Sequence, residues 1–173
     1  LTKLLTNECD VIAYPIAHEQ IIENPELSLE AVTSFNVAYL GFNTTKPPLD
    51  NKMVRQAIAL AVNKSVIVDT IYSGDAEIAK SLLQSGAWAY DDKTVQQEHS
   101  LNKARQILNE QGLSDGFTLD IWAMNIQRPY NPNAVTMAKL IQNDLREIGI
   151  TVNIITYEWA TFLQRIKKGE HQS

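Results

Sequence analysis

A chain of 173 residues, 45% hydrophobic and 20% charged, suits one domain or one lobe of a larger protein and is long enough to bury a real core. Its 20 acidic residues outweigh its 15 lysines and arginines, giving a formal charge of −5. That balance argues against nucleic acid, whose usual footprint is a basic patch, and against docking on anionic lipid.

No apolar run is long enough to span a membrane. The chain opens on Leu1-Thr2-Lys3-Leu4-Leu5 and closes on His171-Gln172-Ser173, so both ends read as cuts in a longer chain and say nothing about compartment. The single cysteine, Cys9, reads from spacing as a small buried hydrophobe, ahead of a disulfide whose partner lies elsewhere.

In chain order, the apolar run 11–14 predicts a strand ended by Pro15, and 18–24 a short helix stopped by Pro25. Alternation predicts a strand over 27–33, and the run 36–43 a well-buried one. Lys46-Pro47-Pro48 reads as a stiff extended spacer, followed by Asp50 or Asn51 as a helix N-cap. Met53, Val54, Ala57, Ile58, Ala61 and Val62 recur at helical spacing. Asn63-Lys64 interrupts them, and a second helix over 65–72 ends at Gly74.

Residues 75–99 carry the weakest pattern; within them Gly86 to Asp92 read as a loop holding Trp88 and Tyr90, large aromatics that more often fill cores than line pockets. Ser100 caps a helix that Gly112 stops. The last third predicts a strand at 117–124, a helix at 133–148, a strand at 150–157 and a helix at 158–168 stopped by Gly169. Strand, helix and strand with short joins imply a right-handed crossover, two parallel strands and the α/β class.

One loop points to a ligand. Gln127-Arg128-Pro129-Tyr130-Asn131-Pro132-Asn133 follows the strand at 117–124, and open α/β sheets bind ligands beyond the carboxyl ends of their strands. Asn131 and Pro132 fit an N-cap and first helical position, whose unpaired N–H groups favour an anion. Arg128 can grip a carboxylate through two parallel hydrogen bonds, and Pro129 restricts the backbone that aims it. On loop composition alone, a surface arginine paired with a nearby acid is the plainer reading. Tyr130 reads as packing beside it.

Other chemistry finds no constellation. His18, His99 and His171 lack metal-ligand spacing and read as surface imidazoles. Asp91-Asp92 reads as a solvated turn, and no nucleophile elbow, P-loop or dinucleotide fingerprint occurs. A peptide-processing enzyme is therefore the weaker class, and no cofactor is expected.

The residues themselves go further than their spacing. The run from Asn36 to Lys64, with its Lys46-Pro47-Pro48 spacer, Val54-Arg55-Gln56-Ala57 helix and Asn63-Lys64 stop in order, resembles the family 5 extracellular solute-binding proteins of bacterial ABC importers. Leu119 to Asn133, Thr156-Tyr157-Glu158-Trp159, Gly169-Glu170-His171-Gln172 and Asn7 to Pro15 are similar to the dipeptide-binding branch. The segment from Ser81 to Asp92 is closer to the Sap-type branch, linked to antimicrobial peptides and haem. The resemblance covers almost the whole chain. It implies an α/β fragment of a two-lobed periplasmic-binding-protein fold of type II, with a mixed sheet flanked by helices. Residues 1–33 would be the end of the first lobe and hinge, and 34–173 most of the second lobe.

It also implies a periplasmic, monomeric receptor that hands short peptides, or haem, to an inner-membrane ABC permease. Lipid anchoring stays open. Arg128 would hold the peptide carboxylate, with Tyr130 beside it. The family's aspartate for the peptide ammonium would lie beyond Ser173, and Cys9 matches a position that can pair with a cysteine near the mature N-terminus.

Overall fold

In the computed structural model, residues 1–13, 15, 18–30 and 34–173 are described, His18 by its backbone alone. They fall into two units, 1–36 and 37–173. The first holds two short helices, α1 (Thr2–Leu5) and α2 (His18–Ile22). Neither expected strand of this unit, the apolar run 11–14 or the alternating 27–33, forms over its described residues, 11–13 and 27–30. Tyr14 and residues 31–33 lie outside the description. A strand needs a ladder partner, and the described residues here supply none: Val11 is 83% exposed. Cys9 is half-buried rather than buried and carries a free thiol.

The second unit holds α3 (Lys52–Ala61), α4 (Lys64–Tyr72), α5 (Leu101–Glu110), β1 (Phe117–Met124), α6 (Ala134–Arg146), β2 (Ile150–Tyr157) and α7 (Trp159–Lys167). The helix starts follow capping chemistry. Asn51, Asn63, Ser100, Asn133 and Glu158 each accept a backbone N–H of the first turn on their side chains. Asn63 therefore opens α4, directly after Val62 ends α3. Its own N–H donates to Asp144 Oδ2 on α6 at 2.8 Å.

β1 and β2 pair in parallel, from Phe117 opposite Ile150 to Met124 opposite Tyr157. The α/β class stands on this pair and its helices. Alternation sends Leu119, Ile121 and Ala123 of β1 into the core, where Ala138, Ile141 and Leu145 of α6 meet them. On the far side of that core, α3 packs on α5. The sheet can close at its start because of two glycines. Gly116 has φ +75°, and a Cβ there would stand 1.9 Å from the Gly149 carbonyl oxygen.

At the other edge of β1 the hydrogen bonding continues without a regular strand. Ser173 N donates to Asp120 O at 3.1 Å, and Trp122 N donates to Ser173 O at 2.8 Å, a parallel exchange. Beyond it, Asn43 N donates to Gln172 O at 2.9 Å and Ser173 Oγ to Gly41 O at 3.0 Å, the two segments running in opposite senses. The hydrogen bonding is thus mixed in direction.

Three local expectations give way. Residues 36–43 form no strand and are not well buried, with Tyr39 72% exposed. A single backbone bond to residue 172 is too little to make a ladder. Lys46-Pro47-Pro48 is a turn with a cis Pro47–Pro48 bond, not an extended spacer. Leu49 N donates back to Lys46 O at 2.9 Å, and the Leu49 side chain is fully buried. Trp88 fills no core and is 99% exposed, because residues 75–99 form no element with an apolar face to receive it.

Candidate functional site

An in-register parallel pair brings the carboxyl ends of both strands to one side of the sheet, so the segments that follow β1 and β2 meet there. After β1 the chain doubles back. Arg128 N donates to Asn131 O and Asn131 N to Arg128 O, both at 3.0 Å, enclosing Pro129 and Tyr130 in a tight loop. Tyr72 at the end of α4 donates its hydroxyl to Tyr130 O at 2.8 Å. Burial pushes the Tyr72 phenol up from its ordinary value, which keeps it a donor. Tyr130 is half-buried, and its own hydroxyl lies 3.8 Å from Met124 Sδ.

After β2, Glu158 caps α7, and Trp159 is the first residue of that helix. The Arg128 guanidinium lies over the Trp159 ring, 4.4 Å from its centroid. The Phe162 ring backs Trp159 at 5.7 Å in a stacked arrangement. The two ion pairs among the described residues are Arg105–Glu147 and Arg165–Glu170. Arg128 belongs to neither, so the plainer reading of a locally paired arginine does not hold. A guanidinium lying over a ring has its cation partly compensated while its N–H groups can still point at an acceptor.

The helix N-terminus is placed differently from expectation. The cap of α6 is Asn133, whose side chain accepts from Thr136 N at 3.0 Å. Asn131 is buried in the loop instead, its backbone committed to Arg128 and its Nδ2 lying 3.6 Å from Met137 Sδ. Two overlapping Asn-Pro and Asn-Ala starts compete here. The second wins because the loop closure uses the backbone N–H and C=O of Asn131.

A second cluster covers the sheet face opposite the core. Trp122 and Tyr157 point there from neighbouring strands, 4.7 Å apart and edge to face. The Arg165 guanidinium of α7 lies 4.4 Å from the Tyr157 ring centroid and 5.0 Å from that of Trp122. Arg165 Nε donates to Glu170, and Glu170 N donates to Arg165 O at 3.2 Å. The hydrogen bond from Arg165 Nε holds the Glu170 carboxyl below its ordinary value, with Lys168 and Lys46 adding to it. Lys46 Nζ donates to Glu170 O. Asn43 Nδ2 donates to the carbonyls of Gly169 and His171, both at 3.0 Å.

His171 is no plain surface imidazole. It lies against Trp122, with ring centroids 6.1 Å apart, and its Nδ1 is buried with no partner among the described residues. Burial, then Lys46, lowers its pKa from the ordinary value. His99 is exposed, and the side chain of His18 is not described. No grouping of three or more histidine, cysteine or acidic side chains that could hold a metal occurs among the described residues.

Of the two site residues expected from sequence, Arg128 stands at the strand ends over Trp159, and Tyr130 closes its loop. Spacing did not reveal Trp159, Arg165, Glu170 and His171. Trp159 lies 31 positions from Arg128 in the chain, and only the parallel register joins them. The available signal was a large aromatic on the outward phase of each strand, Trp122 and Tyr157, following polar Thr118 and Asp120 in β1 and Thr151 and Asn153 in β2.

Comparison with known proteins gives one consistent answer. The dipeptide-binding protein of Escherichia coli K12 is 42% identical over 173 residues, 99% of this chain and 32% of that protein. The probable ABC transporter periplasmic-binding protein SapA of the same organism is 42% identical over 160 residues, 91% of this chain and 29% of that protein. A crystal structure of a dipeptide-binding protein from Pseudoalteromonas sp. SM9913 in complex with Met-Leu superposes with a TM-score of 0.86 at 40% identity, over 99% of this chain and 34% of that one. The chain thus spans about a third of the length of these relatives. The model described as bacterial extracellular solute-binding proteins, family 5, middle, matches residues 1–173, and the chain belongs to that family.

Proposed function

We propose that this chain is part of the periplasmic substrate-binding component of an ABC importer that captures short peptides and delivers them to a membrane permease. The work is capture without chemistry. Arg128 pairs with the peptide C-terminal carboxylate, and Tyr130 shapes the loop that presents it. Residues 34–173 supply most of one lobe, and residues 1–33 the end of the other lobe and the hinge. The observation that carries this reading is half-buried Arg128, in no ion pair among the described residues, whose guanidinium lies over Trp159 at the carboxyl ends of the strands. Burying a carboxylate is costly unless such a group meets it.

A second reading is a Sap-type receptor for longer peptides or haem. Identity to SapA equals identity to the dipeptide-binding protein, and the segment with Sap-type likeness carries the fully solvated Trp88. The test is to purify the full-length protein natively, denature it and identify the released molecules by mass spectrometry. Di- or tripeptides support the first reading. Haem or long peptides support the second, and an empty site leaves the Arg128 role without its ligand.

A further inference from the structure

We propose that Arg165 is a positioning residue for the anion receptor, acting on Arg128 through α7. The inference rests on the role given to Arg128 above. α7 begins at Trp159, the platform under the Arg128 guanidinium, and carries Arg165 near its other end. Arg165 is wedged on the rings of Trp122 and Tyr157, so one cation ties the helix to both strands. Glu170 fixes the direction of that cation through its hydrogen bond to Nε. Glu170 is in turn held by Lys46, while Asn43 binds the carbonyls on either side of it.

The chain of contacts is continuous: residues 43–46 hold 169–171, Glu170 holds Arg165, Arg165 holds α7 on the sheet, and α7 sets where the Trp159 ring stands. Phe162, buried and stacked on Trp159, keeps that ring from relaxing independently of its helix. A helix pinned at one end and bearing its platform at the other converts a lost pin into a displaced guanidinium. Bidentate recognition tolerates little displacement, because both N–H···O bonds must align together.

The test compares a dipeptide with its C-terminal amide in the full-length protein. Wild type should prefer the free acid, since the amide removes the charge that Arg128 meets. Arg165→Met should lower that acid-to-amide ratio by about tenfold, with much of the loss restored by Arg165→Lys, which keeps a cation over the rings. A role confined to folding would weaken both ligands alike and leave the ratio unchanged, which overturns the inference while leaving Arg128 its role. Should Arg165→Met fail to fold, Glu170→Gln is read the same way: a reduced ratio supports the pin, an unchanged one overturns it. If wild type itself fails to distinguish acid from amide, the carboxylate reading of Arg128 falls, and the positioning role falls with it.

Discussion

Removing the Arg128 guanidinium should cost dipeptide affinity by an amount that its surroundings bound. Truncating one partner of a buried, hydrogen-bonded charge pair costs about 2–5 kcal/mol, largely because the other charge is left buried and unpaired. Arg128 is half-buried rather than buried, and its cation already spends part of its field on the Trp159 ring. Both facts place Arg128→Ala near the lower end, about 2–3 kcal/mol, or roughly 30- to 150-fold in Kd at 25 °C. Arg128→Lys keeps the charge but loses the planar fork and its stacking, so it should recover only part of the loss. Isothermal titration of the full-length variants with one dipeptide measures all three affinities. An Arg128→Ala affinity within twofold of wild type, in a protein that still melts cooperatively, would refute the carboxylate role.

Three further outcomes test the fold and its electrostatics in the full-length protein. Gly116→Ala places a Cβ against the Gly149 carbonyl and forces a left-handed φ, whereas Gly112→Ala carries only the φ +71° penalty, with nothing within 4 Å. Urea unfolding should therefore show the first losing well over the ~1–2 kcal/mol of the second. The Glu170 carboxyl is held below its ordinary 4.5, so its stabilisation is complete above that pH and lost as pH falls through the folded value. The stability gap between wild type and Glu170→Gln should accordingly close in acid, read from melting temperatures across pH. His171 also has a lowered pKa, so the fold favours its neutral form and stability rises with pH up to about the ordinary 6.5, then levels. His171→Phe should flatten that slope, and an unchanged profile would mean that His171 titrates freely in the fold.

The sequence was most legible where local chemistry and long-range packing agree. The spans of β1 and β2 follow directly from alternation, because the register fixes the buried set Leu119, Ile121 and Ala123 on one face. Capping side chains placed α3 and α5 for the same reason: the signal lies within one turn of its effect. Apolar content at 11–13 and 36–43 and alternation at 27–30 misled, where strand-like composition met no continuous partner. Composition specifies half of a strand, and the ladder specifies the other half. The expected cap at Asn131 failed in a related way. Its backbone was already engaged by Arg128, a choice that no windowed pattern registers.

The site shows the same division at a larger distance. A local pattern, a loop after a strand with a guanidinium and a following proline, singled out Arg128 as a candidate, but that pattern alone favoured a surface ion pair, and only the family resemblance gave it a carboxylate to hold. Its platform was not legible, since Trp159 reaches it only after β1 and β2 pair in parallel and Glu158 turns the chain into α7. Arg165 and Glu170 are close in sequence and form their pair within one helix end, yet their use depends on Trp122 from the other strand. A charge that is readable in a loop thus meets aromatic rings that only the register delivers. For that reason a register-preserving substitution on the outward face, such as Trp122→Leu, should disturb Arg165 and then the acid-to-amide preference while leaving the β1–β2 pairing in place.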